Sequence, residues 1–107
     1  MPVYLVQASY TPQAVAAMIK NPQDRAAAVK PMIEKAGGKL LGLWFALGNY
    51  DVVAIAEMPD NASAASLAMA TASSGAFSAY HTTPLMTSKE AMEAMKKAGD
   101  VGYKPPK

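Results

Sequence analysis

The spacing of apolar positions changes several times along the chain, and each change marks an element. From Val3 to Tyr10, the residues Val3, Leu5, Gln7 and Ser9 alternate with Tyr4, Val6, Ala8 and Tyr10. β-Branched and aromatic content with this period of two predicts a first strand. Thr11-Pro12 supplies an N-cap and a first-turn proline, predicting a helix to about Lys20. Asn21-Pro22-Gln23-Asp24 repeats that logic, with Asn21 as cap and Pro22 at N1, for a second helical piece to about Ala36. Pro31 lies inside it and predicts a kink or a new turn, and Gly37-Gly38 stop it. Lys39 to Leu47 is nearly unbroken apolar sequence, expected as a strand covered on both faces. Gly48-Asn49 then predicts a two-residue hairpin loop with positive φ, which makes Gly48→Val an expected loss of about 1–3 kcal/mol. The next strand ends at Pro59-Asp60. The alanine-rich stretch from about Asp60 to Ser73 predicts a helix lying close against a sheet, ending near Ser74-Gly75. Tyr80 to Met86 predicts a last strand, placed at a sheet edge because Pro84 cannot donate to a central ladder. Thr87-Ser88-Lys89-Glu90 matches a capping box for a helix through about Ala98. Residues 1–98 are thus expected as one domain, and 99–107 as an extended tail.

Strand, helix, strand, strand, helix, strand plus a terminal helix is the ferredoxin-like βαββαβ order. It predicts an α+β fold with a four-stranded antiparallel sheet, helices on one face and the other face open. A two-residue loop at Gly48-Asn49 would pair Ala46 with Asp51, Trp44 with Val53, Gly42 with Ile55 and Leu40 with Glu57. The open face would then carry Leu40, Gly42, Trp44, Ala46, Asp51, Val53, Ile55 and Glu57. The helix-covered face would carry Leu41, Leu43, Phe45, Leu47, Tyr50, Val52, Ala54, Ala56 and Met58.

Composition narrows the class. The chain has 107 residues, no cysteine, and 51% hydrophobic against 17% charged residues, below the roughly 25% charged typical of soluble domains. So little charge on so small a chain predicts self-association as at least a dimer. A formal net charge of +2, with its basic residues dispersed, gives no nucleic-acid footprint. The first residues lack a signal-peptide pattern and no run reaches membrane-spanning length, so a cytoplasmic protein without membrane contact is expected.

Tyr4-Leu5-Val6, Tyr10-Thr11, Gly37-Gly38-Lys39, Trp44, and above all Leu47-Gly48-Asn49-Tyr50-Asp51-Val52-Val53 through Glu57-Met58-Pro59-Asp60 resemble, in this order, small bacterial proteins named for a Gly-Tyr-Asp (GYD) signature. The resemblance covers about residues 3 to 87. It implies a ferredoxin-like fold of the dimeric α/β-barrel type, in which two open sheet faces meet, and it implies no reaction. Pro31 and the extension from Tyr103 to Lys107 depart from the pattern.

Candidate chemistry gathers on the open face. Trp44 would wall a ligand site, with Asp51 or Glu57 as polar anchor or base and Tyr50 nearby; the simpler assignments are interface packing for Trp44, a turn-stabilising acceptor for Asp51, a solvent-facing Glu57 and a core Tyr50. His81, the single histidine, is a candidate acid or base, or else a hydrogen-bonded strand residue. No metal-ligand spacing and no nucleotide motif occurs, so neither metal nor cofactor is expected. The leading expectation is a homo-oligomeric small-molecule-binding or protein-interaction module. The alternatives are a cofactor-independent enzyme of the barrel type, acting on a small aromatic or dicarbonyl compound, and a structural subunit of a larger assembly.

Overall fold

Eight elements follow one another in the computed structural model, which describes residues 1–107. They are β1 (Val3–Tyr10), α1 (Pro12–Lys20), α2 (Arg25–Lys35), β2 (Lys39–Phe45), β3 (Val52–Glu57), α3 (Asn61–Ala72), β4 (Phe77–Leu85) and α4 (Ser88–Gly99). The strands form one antiparallel sheet in the order β2-β3-β1-β4. β3 is inserted between β1 and β2, the split βαβ arrangement of a ferredoxin-like α+β fold.

Most element ends follow from their caps. Thr11 accepts from the Ala14 N–H, with Pro12 at the first helical position. Thr87 and Glu90 form the reciprocal capping box of α4. Asp60 caps α3 by accepting from the Ser63 N–H at 2.8 Å; that bond and the Ser63 hydroxyl hold its carboxyl below the usual value. The start of α2 corrects the expectation for Asn21 and Pro22. Asn21 closes α1 by donating to the Ala17 carbonyl, and Asp24 is the cap, accepting from Ala26 and Ala27. Asp24 immediately precedes the first turn of α2, so its carboxylate reaches two of that turn's orphan N–H groups, whereas Asn21 stands at the end of α1. α2 continues through Pro31 with no new start; the ring removes the one donor that would reach Ala27.

The hairpin between β2 and β3 differs from expectation in three ways. Trp44 pairs with Val53 and Gly42 with Ile55 as expected, but a register shift between Leu40 and Gly42 sets Leu40 opposite Ala56 instead of Glu57. Leu40 thereby turns to the helices and packs on the core, while Leu41 is left exposed. The connection is a six-residue loop, Ala46 to Asp51, closed by the Ala46 N–H on the Asp51 carbonyl at 2.8 Å. Gly48 does not have positive φ, so this is not a primed two-residue turn. Asp51 explains the longer loop: its N–H donates to Ala8 and its carboxylate accepts from the Tyr10 N–H, both at 2.9 Å. These bonds draw the chain toward β1 and leave Leu47 to Tyr50 to span the gap.

β4 begins at Phe77, three residues before the expected Tyr80, and lies at one edge with Pro84 opposite Tyr4. β2 is the other edge. That corrects the expectation of a strand covered on both faces, since Trp44 and Phe45 are more than half exposed and Leu47 is wholly so.

Residues paired across strands share a face. Tyr4, Val6 and Ala8 with Ala56, Ala54 and Val52 face the helices, whereas Leu5 and Gln7 with Ile55 and Val53 face the open side. The buried core is Tyr4, Ile33, Ala56, Met58 and Ala64, and the Tyr4 hydroxyl donates to the Asn61 side-chain oxygen. This core lies at the end of the sheet where β2 starts and β3 ends. α4 buries no residue. The radius of gyration, 17.2 Å, exceeds the roughly 13 Å of a compact chain of this length.

Candidate functional site

Trp44, Val53, Gln7 and His81 form one row across the open face. Three interstrand steps separate Trp44 from His81, about 14 Å. The Trp44 indole folds back over Gly42, where a Cβ would stand 2.8 Å from the ring's Cζ2. Glu57 lies opposite Val3 at the other end of the sheet, about 13 Å from that row. Tyr50 corrects its assignment to the helix-covered face: its ring meets the His81 imidazole edge-on, with centroids 5.5 Å apart. The six-residue loop breaks the period of two after Phe45, and the Ser9 hydroxyl holds the Asn49 carbonyl above β1. Of the five residues singled out from sequence, only Tyr50 and His81 touch. Asp51 is engaged by the Tyr10 N–H, the turn-stabilising acceptor role. No three His, Asp or Glu side chains converge.

A deep concavity lies on the opposite face. Between the helices and the sheet is an apolar cavity of about 530 Å³, with 16 of its 21 lining residues hydrophobic. Its floor is Val6, Ala8, Val52, Ala54 and Ala56 from the two central strands; α2 supplies Val29, Met32 and Ile33, and α3 supplies Leu67 and Ala70. Alanine is the reason for the hollow. On β1, β3 and α3 these side chains stop at Cβ, so helix and sheet enclose space where larger residues would interlock. The expectation that small side chains bring α3 close to the sheet is therefore reversed at this end.

Aromatic rings border the hollow. Tyr10 stacks on Phe77 with centroids 4.9 Å apart and on Phe45 at 6.0 Å, and Phe77 meets Tyr80 edge-on at 5.3 Å. Burial raises the Tyr80 phenol above its ordinary value, the nearby Thr71 hydroxyl partly opposing it. Arg25 opens α2 at this same end. It donates to Gln23 at 3.0 Å, and its buried Nε has no partner. None of Trp44, Tyr50, Asp51, Glu57 and His81 lines the cavity. The sequence signal for it was present but indirect: alanines at alternate positions of β3 and at Ala8 of β1, facing an alanine-rich helix.

No helix is long and apolar enough to cross a membrane. No curated protein and no solved structure matches the chain. The GYD domain model matches residues 4–95, a span that takes in the Asp51 anchor, all four strands and most of α4, and the chain belongs to the GYD domain family.

Proposed function

We propose that this protein is a homo-oligomeric small-molecule-binding module whose ligand occupies the cavity between the helices and the sheet. The cavity itself carries the reading: at about 530 Å³ it falls within the range of small-molecule sites, with apolar walls and a few polar groups at one end. Calorimetric titration with a panel of small apolar and amphiphilic compounds tests it. Saturable binding that is lost when the cavity is filled by Ala70→Leu supports it; no binding across the panel overturns it.

Self-association completes the reading. Two copies meet through their open sheet faces, as in a dimeric α/β barrel, with Trp44 packed in the interface. The support is the apolar patch of Trp44, Val53, Ile55 and Leu5 on the open face and the exposed Met92 and Met95 on α4, which find no cover within one chain. Trp44→Ala should shift sedimentation toward the monomer. A wild-type monomer at micromolar concentration refutes the association. The enzyme reading has less behind it, because His81, Asp51 and Glu57 stand apart from the cavity and from one another.

A further inference from the structure

The chemistry of the cavity wall narrows its ligand beyond apolar. Among the lining residues are two cations, Arg25 and Lys35, and no carboxylate. They stand at opposite ends of α2, so the cavity has a direction. At the Arg25 end, the polar groups Thr71, Ser74 and Tyr80 gather on the closing turn of α3 and on β4. Along the rest of the groove, Val29, Met32, Leu67 and Ala70 are apolar, and the Ser66 hydroxyl is committed to the Ser63 carbonyl.

Arg25 is held half-buried with an unpartnered Nε. Its one hydrogen bond goes to a neutral amide, Gln23, and the adjacent Asp24 carboxylate is turned to the Ala26 and Ala27 N–H groups. A guanidinium whose Nε–H has no partner, beside an apolar wall, favours a planar anion that accepts from it. The Tyr80 phenol, which lines the cavity at that end, adds a neutral donor on the same side.

We infer that the cavity binds a single-chain carboxylic acid, its carboxylate on Arg25 beside Tyr80 and its hydrocarbon lying along the α2–α3 groove toward Lys35. The groove is about 16 Å long from Arg25 to Ala36 at 1.5 Å per residue, which suits a chain of about twelve carbons. This inference rests on the binding function proposed above and adds the head group and its orientation.

Dodecanoate, dodecanol and dodecyltrimethylammonium, each below its micelle concentration, are titrated calorimetrically against the full-length protein at pH 7.5. Dodecanoate should bind about tenfold more tightly than dodecanol, and the cation more weakly than either. Arg25→Gln should bring dodecanoate down to the affinity of dodecanol while leaving dodecanol itself unchanged, and Arg25→Lys should restore part of the difference. Circular dichroism confirms that both variants fold. Equal affinity for dodecanoate and dodecanol overturns the head-group assignment and leaves the binding function standing, whereas no binding of any of the three overturns both. A preference for dodecanoate that survives Arg25→Gln also overturns the assignment. Phosphatidylglycerol vesicles distinguish a free acid from a membrane lipid: no co-sedimentation is expected, and co-sedimentation abolished by Arg25→Gln rules out the free acid as the ligand.

Discussion

The two ends of the layer between helices and sheet are built from similar elements and reach opposite outcomes. At the end where β2 begins, Tyr4, Ile33, Met58 and Ala64 close on one another, each no more than 6% exposed. At the other end the same two helices lie over Ala8, Ala54 and a row of aromatic rings, and a cavity of about 530 Å³ opens that runs back along α2 as far as Ile33 and Ala36. Chain connectivity makes the difference. Gly37-Gly38 joins α2 to β2 with a sharp turn, Gly37 at φ +88°, and Pro59-Asp60 joins β3 to α3 as directly. These short links press both helices down on the sheet at one end. At the other, α2 is reached from α1 through the Asn21–Asp24 segment, so its start is tied to no strand, while α3 leaves for β4 through the four residues Ser73–Ala76.

The closed end should therefore carry most of the stability. Met58→Ala removes a side chain that is 2% exposed and leaves a void that short links cannot collapse, an expected loss of about 2–5 kcal/mol in urea unfolding. A loss under about 1 kcal/mol would mean that the two ends are equally loose. Gly38→Ala probes the links themselves. A Cβ there would strike the Glu57 carbonyl oxygen and the Met58 sulfur, and backbone cannot yield as a side chain can. The expected cost is about 1–3 kcal/mol by thermal or urea unfolding; an unchanged midpoint would show the junction to be mobile.

Ala70→Leu sharpens the contrast from the hollow end. Added methylenes there enter open space rather than a filled core, so stability should stay within about 1 kcal/mol of wild type. Binding of any cavity ligand should be lost. A destabilisation as large as that of Met58→Ala, read in the same unfolding assay, would show that this end is packed in solution.

The element order, the edge position of β4, the caps at Thr11 and Thr87 and the pairing of Trp44 with Val53 all follow from local signals. Periodicity, proline and capping residues act within a few positions of where they sit, so they survive transfer from sequence to structure. Apart from the Asn21–Pro22 cap, displaced three positions to Asp24, what failed depended on contacts distant in the chain. Tyr50 lies on His81, 31 positions away, because Asp51 is held by β1, and no local pattern encodes that bond. The cavity was hidden for a related reason: alanines tell that little volume is supplied, and only the length of the helix links tells whether the gap is closed. Trp44, Asp51, Glu57 and His81 drew attention by residue type, while Arg25 and Tyr80 became candidates only once α2 and β4 were brought to one end.

The smallest expected effect lies in the loop at the hollow end, and it reverses what the Gly48-Asn49 turn suggested. A valine at Gly48 would be costly in a primed turn that needs positive φ. Gly48 does not have it, and a Cβ built there meets nothing within 4 Å. The anchors of this loop are the Asp51 bonds to Ala8 and Tyr10 and the Ala46 bond to Asp51, none of which involves Gly48. Gly48→Val should therefore change stability by no more than about 0.5 kcal/mol, the range of ordinary surface substitutions. Set beside Gly38→Ala, it compares two exchanges of glycine for a larger residue at opposite ends of one layer. Thermal unfolding of both variants in one buffer makes the comparison, and a Gly48→Val loss equal to that of Gly38→Ala would mean that the β2–β3 loop is as tightly constrained as the α2–β2 junction.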